Sequence, residues 1–207
     1  MAPVAKVAPA TVVDAKSAAM PFLECPAALD GLDDPGNVGF DPLRFTDSDW
    51  NMAEVIIPKE RWMGEYAEIP MVYWMREAEL KHGRMCMLAS IGMVVPAFVR
   101  VPGEQFQGSY TGWEAHDRLV ASGAMGQILL FVGLFETLAG IPACVATMNG
   151  DREPGDFEFG GIFKPTDPVQ LRRKQNAELK NGRLAMLAFS GQVTQAVLTG
   201  HDAPFLY

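Results

Sequence analysis

Ala78-Glu79-Leu80-Lys81-His82-Gly83-Arg84-Met85-Cys86-Met87-Leu88-Ala89-Ser90-Ile91-Gly92 recurs 99 residues later as Ala177-Glu178-Leu179-Lys180-Asn181-Gly182-Arg183-Leu184-Ala185-Met186-Leu187-Ala188-Phe189-Ser190-Gly191. Ten of the fifteen positions are identical. A second pair lies upstream of these copies. Asp34-Pro35-Gly36-Asn37 leads to Phe40, and Glu153-Pro154-Gly155-Asp156 leads to Phe159. Each copy therefore has its own Pro-Gly turn before it. Such a duplication predicts two related helices packed about a local two-fold axis.

Each copy runs into an apolar span. Met85–Val99 holds fifteen residues and Leu184–Gly200 seventeen, both without a charge. Between them Leu119–Ile141 holds twenty-three, broken only by Gln127 and Glu136 among mostly apolar and small residues. This middle span has no partner in the repeat. A bilayer span needs about 17–25 mostly apolar residues, so the first and third require the charged, helix-compatible text that precedes them. Pro70 and Asp167-Pro168 are suitable helix starts, because proline is tolerated at the first helical position and aspartate caps well. Pro168–Thr199 is then a helix of 32 residues, about 48 Å at 1.5 Å per residue. It exceeds a hydrocarbon core of about 30 Å and should tilt. Pro70–Val99 is similar, and Pro96 should bend or end it. A soluble bundle is the competing reading. Its helices should carry a polar face along their whole length, and Leu184–Gly200 offers only Ser190, Gln192, Thr194, Gln195 and Thr199.

The predicted fold is therefore an all-α membrane protein with three transmembrane helices. The first and third are long, tilted and crossed about a pseudo-two-fold. Residues 1–69 form an extended acidic N-terminal segment before the membrane domain at 70–207, the whole being a single domain. The segment carries five Lys/Arg against twelve Asp/Glu, a net charge of −7 out of the chain's −8. Acidity of this kind argues against nucleic acid, which is bound mainly through cations on phosphates. The first twenty residues, rich in Ala, Val and Pro, lack the apolar core of a secretory signal and read as a tail. Cys25, Cys86 and Cys144 are too few, too scattered and odd in number for a disulfide scaffold or zinc ribbon. Trp50, Trp62, Trp74 and Trp113 all fall outside the apolar spans, as interfacial anchors do.

Charges at membrane depth are expensive and usually paired. Glu79 and Arg84 lie roughly 140° apart around a helix, outside the i,i+3 and i,i+4 geometry. Two copies crossing about a two-fold can pair crosswise instead, Glu79 with Arg183 and Glu178 with Arg84. Ala89 and Gly92, with Ala188 and Gly191, permit the close approach this needs. A neutralised glutamate keeps lone pairs for a metal. His82 stands one turn beyond Glu79, and Asn181 one turn beyond Glu178. Gln127, Glu136 and Gln195 are isolated on apolar text. Hard ligands that arrive singly do not make a cage for a bare ion. They suit a metal already held by a macrocycle with an axial site open.

These residues resemble the light-harvesting chlorophyll-binding family of photosynthetic eukaryotes. The family pattern E-x-x-H/N-x-R reads here Glu79-Leu80-Lys81-His82-Gly83-Arg84 and Glu178-Leu179-Lys180-Asn181-Gly182-Arg183. Asn181-Gly182-Arg183-Leu184-Ala185-Met186 is the most specific patch, and Phe40-Asp41-Pro42-Leu43 matches the loop before the first helix. The resemblance covers roughly residues 20–200. It implies chlorophyll magnesium held axially by Glu79, His82, Gln127, Glu136, Glu178, Asn181 and Gln195. It also implies Arg84 and Arg183 as structural ion-pair partners, no metal beyond that magnesium, and carotenoids in grooves beside the crossed helices. The N-terminus would be stromal in a chloroplast thylakoid membrane. Arg76, Lys81, Arg172, Arg173, Lys174 and Lys180 at one end, against Arg100 and Arg118 at the other, agree with the positive-side bias.

Ser17-Ala18-Ala19-Met20-Pro21-Phe22-Leu23 and Leu29-Asp30-Gly31 are similar to the red-lineage branch associated with photosystem I. That implies chlorophyll a with chlorophyll c, a lineage-specific xanthophyll, and photosystem I core subunits, neighbouring antennae and thylakoid lipids as partners. Two departures stand out. Phe159-Gly160-Gly161 replaces the second Phe-Asp-Pro, and the C-terminal amphipathic helix with a further histidine ligand, known in green-lineage members, is expected to be absent. His116 and His201 read as ordinary surface histidines. The function implied is a non-enzymatic antenna, with an energy-dissipating member of the same family as the alternative. A di-iron carboxylate enzyme is a remote rival: Glu79-x-x-His82 fits half of such a site, but its second copy has Asn181.

Overall fold

Helix α1, Met71–Val94, buries Glu77 and Met93 and, at a regular spacing, Val72, Arg76, Leu80 and Gly83. That spacing of three and four puts them on one stripe. The computed structural model describes residues 16–47, 71–108, 110–148, 151–157 and 164–202. The helix start expected at Pro70, residues 1–15 of the tail, Trp50, Trp62 and Phe159-Gly160-Gly161 lie outside the described residues. Pro96 ends α1 as expected. Proline has no N–H and its ring clashes with the carbonyl four residues back. The chain tightens to a 3-10 turn at Val95–Ala97.

Helix α2, Gly112–Ala121, begins where the Gly112 amide donates to both Asp202 carboxylate oxygens, at 2.7 and 2.6 Å. A carboxylate there satisfies an orphan amide and faces the positive end of the helix dipole. Glu114 accepts from the Thr111 amide at 2.9 Å, half of a capping box. The turn at Ser122-Gly123, with Gly123 at φ +80, breaks the helix. This corrects the expected middle span. It does not run from Leu119 to Ile141, because the αL glycine divides that apolar run.

The middle helix is instead α3, Ala124–Phe135, a π-helical turn at Glu136–Gly140, and α4, Ile141–Met148. The π turn lies just before Pro142, whose missing N–H and ring disturb the regular ladder. Ala124–Thr147 is the one helix among the described residues that is long and apolar enough to cross a membrane. The spans expected in α1 and α5 include charged turns and do not meet that measure.

Helix α5, Pro168–Thr199, has the predicted ends. Asp167 accepts from the Val169 amide at 3.2 Å, with Pro168 in the first helical position. Gly200 closes it at φ +71, donating to the Ala196 carbonyl at 2.9 Å.

Residues 16–47 are a chain of turns rather than a straight run. Ser17 is buried, and its hydroxyl donates to the Val38 carbonyl at 3.1 Å. The Asn37 side chain donates to Leu29 and Leu32 carbonyls, both at 2.8 Å. By its contacts the chain divides into two units, Met1–Leu80 with Pro142–Leu179, and Lys81–Ile141 with Lys180–Tyr207.

Candidate functional site

In the first unit the two Pro-Gly turns exchange partners. Gly155, of the second turn, donates its amide to Glu77 of α1 at 2.6 Å. Gly36, of the first turn, donates its amide to Asn176 of α5 at 2.7 Å. Glu77 and Asn176 are the same repeat position, two residues before Glu79 and Glu178. Both glycines have positive φ, +67 and +77, which only glycine adopts without cost. The turn of each copy thus grips the helix of the other. Arg152 completes the Glu77 side, donating to the carboxylate at 2.7 Å and to the carbonyls of Ala143 and Asp156 at 3.0 and 2.8 Å. Thr147, fully buried, donates to Glu77 at 3.4 Å. The sequence reading passed over Glu77 and Asn176. The signal was their shared place in the repeat, masked by the change of residue type.

Glu79 has a cation that the sequence reading did not weigh. Arg76, one turn back, donates to its carboxylate at 2.6 Å. None of Glu79, His82, Arg84, Glu178, Asn181 and Arg183 is without a partner.

In the second unit α1 and α5 meet backbone to backbone at Gly83 and Gly182. A Cβ on Gly83 would lie 3.0 Å from the Gly182 Cα, and one on Gly182 would lie 3.1 Å from the Gly83 Cα. These are equivalent residues of the repeat, and each sees the other alike. In the first unit Leu80 and Leu179, again equivalent, are among the few buried apolar residues. Glu136 opens the π turn and is paired with Lys81 at 2.5 Å.

The donor candidates differ in exposure. His82, Asn181, Gln127 and Gln195 are exposed, and Glu79, Glu136 and Glu178 are half-buried. Met85 with Leu184, and Leu88 with Leu187, are equivalent pairs of exposed apolar residues. Helix α3 buries no residue at all. So much outward apolar surface marks contact with something other than water. Neither the Gln127 nor the Gln195 side chain has a hydrogen-bond partner, interhelical or otherwise, among the described residues. No three His, Cys, Asp or Glu side chains converge on a metal position among the described residues. A di-iron site needs such convergence. Single donors on apolar faces are the set an axially ligated macrocycle fits. Cys25, Cys86 and Cys144 form no disulfide among the described residues, and His116 and His201 are exposed.

The family model described as chlorophyll A-B binding protein matches residues 25–197. The chain belongs to this family of chlorophyll-binding, light-harvesting proteins. Similar relatives include a fucoxanthin-chlorophyll a-c binding protein of Chattonella marina var. antiqua, 33% identical over 62% of this chain and 58% of the relative. Light-harvesting complex stress-related protein 3.2 of Chlamydomonas reinhardtii is 34% identical over 64% of this chain and 55% of its own length. Photosystem I chlorophyll a/b-binding protein 6 of Arabidopsis thaliana is 31% identical over 81% and 61%. The chain spans little more than half the length of the first of these relatives.

Proposed function

We propose that this chain is a light-harvesting antenna of the chloroplast thylakoid membrane that passes excitation to a photosystem, photosystem I in the first instance. The observation that carries the reading is the array of half-buried and exposed single donors on apolar helices, twofold repeated at Glu79/Glu178 and His82/Asn181. Gln127, Glu136 and Gln195 extend it. Bound chlorophyll and carotenoid supply light absorption and excitation transfer. The chain's residues supply position. Each of these donors would hold one magnesium, with Arg84 and Arg183 as the proposed ion-pair partners of the glutamates and Arg76 sharing the charge of Glu79. The contact at Gly83 and Gly182 supports a crossed pair of long helices, with α3–α4 as the third, unpaired span and the N-terminus stromal. Chlorophyll a with chlorophyll c and a xanthophyll agrees with the Chattonella relative, a fucoxanthin-chlorophyll a-c binding protein, and photosystem I with the Arabidopsis relative, a photosystem I chlorophyll a/b-binding protein.

The test is excitation transfer in the isolated complex. Light absorbed by the accessory pigment should appear as chlorophyll a emission, and the complex should co-purify with photosystem I. Carotenoid or chlorophyll c excitation that yields no chlorophyll a emission contradicts an antenna. The stress-related relative favours an energy-dissipating member as the second reading. A strongly shortened fluorescence lifetime in the isolated complex selects it over harvesting.

A further inference from the structure

The repeat places a lysine beside each ligand motif, Lys81 and Lys180, yet only Lys81 meets a carboxylate among the described residues. Lys81 Nζ lies 2.5 Å from Glu136 Oε2, each side chain about two-fifths exposed (41% and 40%). Lys180 is exposed and has no such partner there. The pair belongs to the middle span and breaks the repeat's symmetry.

Glu136 is seated by the shape of its own helix. It begins the π turn that ends at Gly140. A Cβ on Gly140 would collide with Glu136 Oε2 and come within 2.9 Å of its Cδ and 3.5 Å of Lys81 Nζ. Only a glycine leaves room for the carboxylate to lie back over the turn and meet the lysine. Oε1 accepts no hydrogen bond among the described residues. One oxygen is therefore taken by a cation, and the other keeps its lone pairs.

We propose that Lys81 is the positioning residue for chlorophyll at Glu136: it neutralises the carboxylate on Oε2, over the Gly140 turn, and leaves Oε1 as the axial donor. The proposal rests on the reading that chlorophyll binds at Glu136. A charged carboxylate on an apolar span without a cation is costly. Lys81 supplies that cation at Oε2 and leaves Oε1 open.

The test is a set of full-chain complexes assembled with chlorophyll a and carotenoid, with chlorophyll per polypeptide counted by extraction. Lys81→Met should lose a single chlorophyll, and Lys81→Arg should keep it. Glu136→Gln supplies a neutral amide, the donor type this chain offers at Gln127 and Gln195, and should keep it too. The deciding variant is Lys81→Met with Glu136→Gln. Nothing remains there to neutralise, so the full count should return. A full count in Lys81→Met alone overturns the proposal. So does a double variant that loses the same pigment, or fails to assemble, since Lys81 would then act through packing. Glu136→Leu separates the two levels: an unchanged count there removes the ligand reading itself, and Lys81 with it.

Discussion

Replacing Glu77 and Asn176 in turn by alanine should have unequal consequences, although the two occupy the same repeat position. The Glu77 carboxylate is almost closed off, 7% exposed, against Arg152 at 13%. Glu77→Ala leaves that guanidinium buried without its counter-charge, which costs about 3–5 kcal/mol. Two of the guanidinium's other hydrogen bonds, to Ala143 and Asp156, survive, so the lower end, about 3 kcal/mol, applies. Asn176→Ala removes one neutral hydrogen bond from the Gly36 amide, worth about 1 kcal/mol. The difference of about 2 kcal/mol is roughly a thirtyfold change in the folding equilibrium. Adding Arg152→Met to Glu77→Ala should recover part of the loss, because the stranded charge goes with it. The assay is equilibrium unfolding of the full-chain complex, followed by far-UV circular dichroism. Equal losses for the two alanines, or no recovery in the double variant, would refute the exchange of turns as an energetic feature.

Gly83→Ala and Gly182→Ala should destabilise alike. Overpacking costs about 1–3 kcal/mol and the gain in helix propensity returns about 1. One silent and one severe outcome in thermal melts would contradict a mirrored contact. Asp41 gives a pH dependence. Its burial alone would raise its pKa, but hydrogen bonds from the Thr46 hydroxyl and the amides of Thr46, Phe45 and Arg44 outweigh this and lower it. A lowered carboxylate contributes stability above its unfolded pKa, about 3.9, and loses it as pH falls through the folded value. Asp41→Asn should flatten that acid-side loss in melting temperature, and an unchanged slope sinks the assignment. Arg183→Leu should lower stability and pigment content together. With Arg76 still on Glu79, the larger loss should come in Arg76→Leu/Arg183→Leu, beyond the sum of the singles. Additive losses would remove the crosswise pair.

Where the sequence spoke locally, it was legible. Asp167-Pro168 and Gly200 mark both ends of α5, and Pro96 ends α1, because caps and proline act on neighbours a few residues away. The repeat predicted a close approach of equivalent residues but put it at Ala89 and Gly92 with Ala188 and Gly191; it falls instead at Gly83 and Gly182, and a Cβ on Gly92 or Gly191 would meet nothing within 4 Å. Gly123 was missed because an apolar run gives no sign of the handedness of its backbone. Glu77 with Gly155, Asn176 with Gly36, and Lys81 with Glu136 were missed for another reason. Their partners are 78, 140 and 55 residues apart, and only the folded chain brings them together. The charge on Lys81 looked like a repeated feature of two helices. Its use is particular to one.

The central claim is that single donors on these helices hold chlorophyll, and pigment analysis of the full-chain protein purified from membranes in mild detergent tests it most directly. An absorption spectrum with extraction should show chlorophyll a and carotenoid travelling with the polypeptide, with chlorophyll c bands marking the red secondary lineage. Chlorophyll b in their place would contradict the lineage. A colourless chain, or one with an iron spectrum alone, would contradict the account.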